Sequence, residues 1–254
     1  MRVIGDLSKF NARRFPNKPA LILGEEKLTY LELDRLSNAV ANWLVSQGVS
    51  AGDRVAILAL SSPEFAVITQ AIAKAGAVFV PVNARFSPAE IAVLLSGSDA
   101  RVLFLEPEFL ADVEEAFASS TARPQRVVIR SKDAPEGIHR LERILAEQPQ
   151  TPPDVKVDPS SPTMIMYTGG TTGAPKGVVY SHYMFLRCIE GAVVEGDLGP
   201  TDVMHLTMPL FHNGGYAAML GPALMVGATV VCYRGSFEPE RILADIERYR
   251  ITLT

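Results

Sequence analysis

Along the first hundred residues, short apolar runs alternate with longer stretches of helical period. The runs are DRVAILAL from Asp53, AVFVPV from Ala77 and ARVLFL from Ala100; between them stand SPEFAVITQAIAKAG and SPAEIAVLLSGS. A strand that is apolar at every position belongs to a sheet covered on both faces. Its alternation with helices of this length predicts βαβ units and an α/β fold of mostly parallel sheets flanked by helices. The boundary signals agree. Thr29 with Glu32 and Ser87 with Glu90 read as capping boxes, Pro63 and Pro88 as first-turn prolines, and Gly48 and Gly76 as helix stops. The polar stretch PQTPPDVKVDPSSP, Pro149 to Pro162, reads as a surface connection. It divides the chain into a first α/β lobe over 1–150, a connection over 151–162 and a second lobe over 163–254.

Composition narrows the function classes. With 254 residues, of which 48% are hydrophobic, the chain can bury one large core or two small ones. A net charge of −4 with mixed signs gives no general attraction to nucleic acid or anionic lipid. Cys188 and Cys232 lie too far apart for a metal-type spacing, and a disulfide framework is not indicated. The start, MRVIGDLSKF, lacks the apolar centre of a signal peptide, which points to a cytoplasmic protein. The uncharged stretch Asn213 to Tyr233 is long enough to cross a bilayer. It is interrupted by Gly221-Pro222 and Gly227, however, and divides into a buried helix, a turn at VGA and a strand TVVCY. The basic run Arg123 to Lys132 reads as a solvated edge, with a patch for a membrane or acidic partner as the alternative.

The most distinctive stretch is YTGGTTGAPKGVVYSH, Tyr167 to His182. TMIMY before it and GVVYSH after it both read as strands, so the glycine-rich segment joins two strands. A Walker A loop requires Gly-Lys followed by Ser or Thr and then a helix; here Pro175 precedes Lys176 and Gly177 follows it. The dinucleotide pattern G-x-G-x-x-G is absent. The residue types still suit phosphate. Gly169, Gly170 and Gly173 let backbone N–H groups approach an anion, Thr168, Thr171 and Thr172 add hydroxyl donors, and Lys176 adds a positive charge. A plain hairpin loop with a solvated lysine is the competing reading.

YTGGTTGAPKGV resembles the phosphate-binding signature of the adenylate-forming enzymes, the superfamily of acyl-CoA synthetases, firefly luciferase and peptide-synthetase adenylation domains. The departure is the pair Gly169-Gly170 where the family has Ser-Gly. LTYLELDRLSNAVANWLVSQGV, GDRVAILALSSPEFAV, KAGAVFVPVNARFSPAEIAVLLSGSDARVLF and MPLFHNGGY resemble acyl-CoA synthetases in the same order, so the likeness spans nearly the whole chain. It implies the layered N-terminal domain of that family and its reaction. A carboxylate attacks the α-phosphorus of ATP to give an acyl-adenylate, and a thiol, usually of coenzyme A, then takes the acyl group.

The resemblance also implies roles. Thr168, Gly169, Gly170, Thr171, Thr172, Gly173 and Lys176 would hold the β- and γ-phosphates, with Lys176 and Thr172 acting in catalysis and Thr168 touching Mg²⁺. Phe211, His212, Asn213, Gly214 and Gly215 would border the acyl pocket, the glycines letting the next helix approach substrate. Peptide-synthetase adenylation domains carry an aspartate matching His212 to hold an ammonium, so an amino-acid substrate is disfavoured. Met204, Met208, Met219, Leu224 and Met225 lean toward a fatty or other hydrophobic acid, with aryl acids as the alternative. His182 closes the motif where the family often has histidine, either on the nucleotide side or in packing; His205 reads as a locally satisfied strand residue and His139 as exposed. The family's Y-G-x-[TS]-E and T-G-D motifs and its C-terminal catalytic-lysine domain have no counterpart here. The expectation is therefore the N-terminal part of a ligase that is inactive alone and forms a homodimer or touches membrane at most peripherally. A non-catalytic module that binds nucleotide weakly is the second class.

Overall fold

The computed structural model describes residues 1–168 and 176–254. In chain order its strands are β1 (Pro19–Leu23), β2 (Glu26–Thr29), β3 (Arg54–Leu58), β4 (Val78–Pro81), β5 (Val102–Leu105), β6 (Gln125–Val128), β7 (His139–Arg140), β8 (Pro162–Thr168), β9 (Lys176–Ser181), β10 (Val203–Leu206) and β11 (Thr229–Cys232). The helices are α1 (Asp6–Arg14), α2 (Tyr30–Ser46), α3 (Pro63–Lys74), α4 (Pro88–Ser98), α5 (Leu110–Phe117), α6 (Leu141–Glu147), α7 (His182–Glu195), α8 (Gly221–Val226) and α9 (Pro239–Tyr249). A π-helical stretch, Gly214–Leu220, runs directly into α8.

The helix signals of the sequence act as expected. Thr29 and Ser87 form reciprocal capping boxes with Glu32 and Glu90, and Pro63 and Pro88 stand in the first turns of α3 and α4. The uncharged stretch from Asn213 divides into the π-helix, α8 and β11, and among the described residues no helix is long and apolar enough to cross a membrane.

Among the described residues the strands form two sheets, ordered β7-β6-β5-β3-β4-β8-β9 and β10-β11-β1-β2. Every pairing is parallel except β1–β2 and β8–β9 at the two edges. Neither sheet respects the division into lobes at the proline-rich connection. β1 leaves the first lobe to pair with β11 and carries β2 on its other side, while β8 and β9 leave the second to extend the sheet of β3 and β4. Rather than spacing two bodies apart, the connection is tied to α2, where Asn38 and Asn42 side chains donate to the carbonyls of Gln150, Pro149 and Thr151.

Alternation along the strands builds the layers. Val55 and Ile57 of β3 enter an inner core shared with both sheets, whereas Ala56 and Leu58 enter an outer core with Ile91, Leu94 and Leu95 of α4. The inner core contains Leu21 and Val230 from the four-stranded sheet and residues of α1, α2, α3, α7 and α8. Helices therefore lie between the two sheets and on the outer face of the larger one. On the far side of the smaller sheet, His205 of β10 meets Asp245 of α9 at 3.5 Å.

One buried polar group braces the inner helices. Lys74 Nζ, at the end of α3, reaches Asp34 Oδ1 at 2.6 Å, Ser37 Oγ at 2.7 Å and Asn38 Oδ1 at 2.8 Å, all on α2. Asp34 in turn accepts from Ser8 Oγ of α1 at 3.1 Å. Burial lowers the Lys74 pKa to about 8, although Asp34 opposes the shift. Lys74→Met leaves the Asp34 carboxylate buried without its cation and is expected to cost about 3–5 kcal/mol of unfolding free energy. Adding Asp34→Asn should restore part of it. Urea midpoints of the two single variants and the double variant check this, and strict additivity would remove the coupling.

Candidate active site

β8 and β9 form an antiparallel hairpin in which Thr168 faces Lys176 and Tyr167 faces Gly177. Met164 and Met166 point into the inner core, and Ile165 and Tyr167 pack on the outer one. Gly177 permits this packing: a Cβ there would lie 2.7 Å from Ile165 Cγ2 and 3.5 Å from the Tyr167 ring. Five of the expected phosphate-binding residues, Gly169, Gly170, Thr171, Thr172 and Gly173, lie outside the described residues. The remaining two, Thr168 and Lys176, end β8 and begin β9, so the strand pair delivers both ends of the loop to one place. β8 runs parallel to β4, and Thr168 therefore stands at the rim formed by the carboxyl ends of the parallel strands, where ligands collect in open α/β sheets.

The same rim contains a cavity of about 360 Å³. Its walls come from the segments that follow four strands: Ser61 after β3, Arg85 after β4, Phe211 after β10, and Tyr233 and Arg234 after β11. Ser61 Oγ accepts the Leu210 N–H at 3.1 Å, tying the MPLFH segment to the end of β3. Glu106, directly after β5 and 1% exposed, accepts both terminal nitrogens of Arg234 at 2.6 Å. This two-point pair holds the Arg234 guanidinium charged and neutralises it within the wall. Close by, Arg130 after β6 donates to Glu64 of α3 at 2.8 Å and to Glu26 of β2 at 3.0 Å. The basic run is therefore largely engaged: Arg126 pairs with Glu114, and Arg130 bridges the two sheets.

Of the second expected site, Phe211 lines the cavity, and His212, Asn213, Gly214 and Gly215 are not among its lining residues. His212 makes the turn into the π-helix: its N–H donates to Pro209 O at 3.0 Å, and its Nδ1 accepts the Gly214 N–H at 3.0 Å. The glycine pair is there for a close backbone approach. A Cβ on Gly215 would lie 2.2 Å from Pro209 O, and one on Gly214 2.6 Å from Met208 Cε. The neighbours these glycines accommodate are thus Met208 and Pro209. Asn213 Oδ1 is buried and has no hydrogen-bond partner among the described residues.

The remaining histidines separate by environment. His182 is fully buried at the start of α7, where its Nδ1 accepts the Ile4 N–H at 3.2 Å; it ties the N-terminal segment to the base of the hairpin. Burial holds it neutral, with its pKa lowered to about 4 despite Asp6. His205 is also buried, and its ring nitrogens lack hydrogen-bond partners; the expected local satisfaction reduces to the 3.5 Å approach of Asp245. His139 is exposed and meets Trp43 edge-on at 5.3 Å. Among the described residues no cluster of three His, Cys, Asp or Glu side chains has a metal-binding arrangement. Cys232 is buried, which raises its thiol pKa to about 12, and Cys188 is exposed.

Glu106 and Arg234 were not singled out from the sequence. Their signal was present: each is a charge placed at the end of an apolar strand run, VLFL and TVVCY. Such positions point toward the ligand-facing rim of a parallel sheet.

Fold and rim together define an α/β domain with a cavity at the carboxyl ends of its parallel strands. The chain belongs to the AMP-binding enzyme family, whose pattern matches residues 9–254. It is 36% identical over 241 residues to the indoleacetate–CoA ligase of Aromatoleum aromaticum, covering 94% of this chain and 46% of that protein. It is 31% identical over 243 residues to a 3-hydroxybenzoate/4-hydroxybenzoate–CoA ligase of Thauera aromatica, covering 95% and 46%. With a fatty acid–[acyl-carrier-protein] ligase of Streptomyces coeruleorubidus it shares 35% over 219 residues, covering 85% and 40%. Among solved structures, the anthranilate CoA ligase AuaEII in complex with anthranoyl-AMP superposes with a TM-score of 0.91 at 27% identity, covering 98% of this chain and 48% of that one. The chain spans about half the length of the curated relatives it matches.

Two outcomes follow from this geometry. Gly215→Ala forces a methyl group into the Pro209 carbonyl and is expected to destabilise the chain by about 1–3 kcal/mol, read as a lowered urea midpoint. The His182 pKa is lower in the folded than in the unfolded chain, so its contribution is constant above pH 6.5 and is lost as pH falls toward about 4. That loss amounts to at most about 3 kcal/mol. His205, also lowered by burial, adds a slope of the same sign. His182→Asn keeps an acceptor for Ile4 and should flatten the stability–pH curve between pH 6.5 and 4; an unchanged slope would assign the effect elsewhere.

Proposed function

We propose that the chain forms the phosphate-gripping and acid-framing part of an AMP-forming acid–thiol ligase. That enzyme activates a carboxylic acid with ATP as an acyl-adenylate and passes the acyl group to coenzyme A. The observation that carries this reading is the hairpin: it brings Thr168 and Lys176 together at the rim that also holds the Phe211 cavity. Two anions must meet in the first step, and the pyrophosphate leaves with still more charge. An exposed lysine cation and loop N–H donors at the place where that charge develops stabilise the transition state more than the ground state. Thr168, Gly169, Gly170, Thr171, Thr172 and Gly173 are assigned to the β- and γ-phosphates, with Lys176 and Thr172 acting on the departing group. With no carboxylate cluster among the described residues, Mg²⁺ would be held mainly by the substrate phosphates, with the Thr168 hydroxyl as the one ligand proposed from this chain. There it would supply neutralisation of phosphate charge.

For the acid, an aromatic or compact hydrophobic body is favoured over a long chain. The cavity is about 360 Å³ and is walled in part by Phe211 and Tyr233, and two of the relatives are named for indoleacetate and hydroxybenzoates. A fatty acid is the second reading, supported by the name of the Streptomyces coeruleorubidus relative. An α-amino acid is disfavoured because His212, its Nδ1 already occupied by the Gly214 N–H, offers no counter-charge for an ammonium. The alternative of a non-catalytic module has no observation in its favour.

In the full-length enzyme, Lys176→Ala should lower acid-dependent exchange of labelled pyrophosphate into ATP by roughly a hundred- to a thousandfold. A rate within a few-fold of the parent removes Lys176 from the site. A panel of benzoates, arylacetates, fatty acids and amino acids in the same assay tests the substrate class. Aryl acids should drive exchange best and amino acids not at all; exchange driven chiefly by long-chain acids would overturn the aromatic preference.

A further inference from the structure

At the edge of the seven-stranded sheet opposite the hairpin, the end of α2, strand β7 and helix α6 enclose a second cavity of about 620 Å³. It is larger than the cavity at the rim. β3 and β4, whose following segments line the rim cavity, stand three and four strand spacings of about 4.8 Å from β7, so the two cavities serve different ligands or the same ligand independently.

The chemistry of the lining is specific. Trp43 and Ile144, each 4% exposed, provide an apolar floor, and the Trp43 ring meets His139 edge-on. Arg140 stands in the wall with its Nε buried and without a hydrogen-bond partner; its nearest carboxylate oxygen, on Glu142, is 3.7 Å away. The neighbouring Arg143 is already taken by Glu147 at 2.7 Å. Asp133 also lines the cavity, and its carboxylate makes no ion pair among the described residues. The Arg140 side chain is 36% exposed, and its terminal nitrogens make no hydrogen bond among the described residues; such a guanidinium edge is a position that a planar carboxylate fills with a charge-assisted bond. The aromatic and apolar floor suits a ring attached to that carboxylate. Asp133 supplies an acceptor for a hydroxyl donor on the same molecule.

We infer that this cavity, formed by Trp43, His139, Arg140 and Asp133 at the far edge of the sheet, is a second ligand site for a small aromatic carboxylate carrying a hydrogen-bond donor. Arg140 takes the carboxylate, Trp43 and His139 border the ring, and Asp133 accepts from the donor. The site is one of binding rather than chemistry.

Trp43 is the single tryptophan of the chain, so a fluorine-labelled tryptophan gives one magnetic resonance signal that reports on this cavity. Titration of the labelled chain with 4-hydroxybenzoate should shift that signal saturably. Arg140→Gln should weaken the apparent affinity at least tenfold. Asp133→Asn should weaken it several-fold for 4-hydroxybenzoate and leave benzoate unaffected, while Lys176→Ala, at the other edge, should change neither. Among the described residues the Arg140 side chain makes no hydrogen bond and only a 3.7 Å ion pair with Glu142, so circular dichroism of Arg140→Gln should match the parent. Absence of a saturable shift at tens of millimolar ligand, or a shift of the same affinity in Arg140→Gln, overturns the site.

Discussion

The geometry of the rim depends on two arginine–carboxylate junctions that join the sheets. Arg234, after β11 of the smaller sheet, is held at two points by Glu106, after β5 of the larger one. Arg130, after β6 of the larger sheet, reaches Glu26 of β2 in the smaller. The inner core between the sheets is apolar and non-directional; it sets their separation but specifies their relative position only loosely. A planar guanidinium meeting a carboxylate at two points sets position and angle together. Burying such a pair is a poor way to gain stability, because desolvation cancels much of the attraction. Its use here is better understood as specification of where the ends of β5, β6 and β11 stand with respect to one another.

That specification matters because parallel strands send their carboxyl ends to the same side. β3, β4, β5 and β8 run in one direction, so Ser61, Arg85, Glu106 and Thr168 emerge at a common rim although they are far apart in sequence. The smaller sheet contributes Phe211, Tyr233 and Arg234 to the cavity wall there. The chain thus builds its cavity from the ends of separate strands, and the arginine junctions act on the spacing of those ends.

Much of this was legible in the sequence, for identifiable reasons. Continuous apolar runs such as VLFL report a doubly covered sheet, and the capping boxes at Thr29 and Ser87 are local devices complete within four residues. The strands flanking the glycine-rich loop were legible through the β-prone residues of TMIMY and GVVYSH. What escaped was non-local. That β1 pairs with β11 across some two hundred residues is set by packing on the inner helices, which no window of sequence contains. The Lys74–Asp34 brace has no signal within either helix alone, because only the tertiary crossing of α2 and α3 brings the two charges together. The glycine pair at Gly214-Gly215 was expected to let the next helix approach substrate; its near neighbours in the fold are the Met208 side chain and the Met208–Pro209 backbone, which follow from the turn.

The hairpin shows how a fixed chemical position is obtained without a helix. In a Walker-type site the phosphate donors belong to a helix N-terminus, whose axis is anchored along its length. Here β9 is an edge strand whose Val178 and Val179 are exposed, so its register is not set by burial of its own central side chains. The constraint comes from β8. Its Met164 and Met166 belong to one core and its Ile165 and Tyr167 to the other. A slip of one residue would exchange all four between cores of different shape. The pairing of β9 with β8, including the contact of Gly177 with Ile165 and Tyr167, then transfers that register to Lys176. The lysine stands opposite Thr168 because of residues packed one to four positions before that threonine in β8.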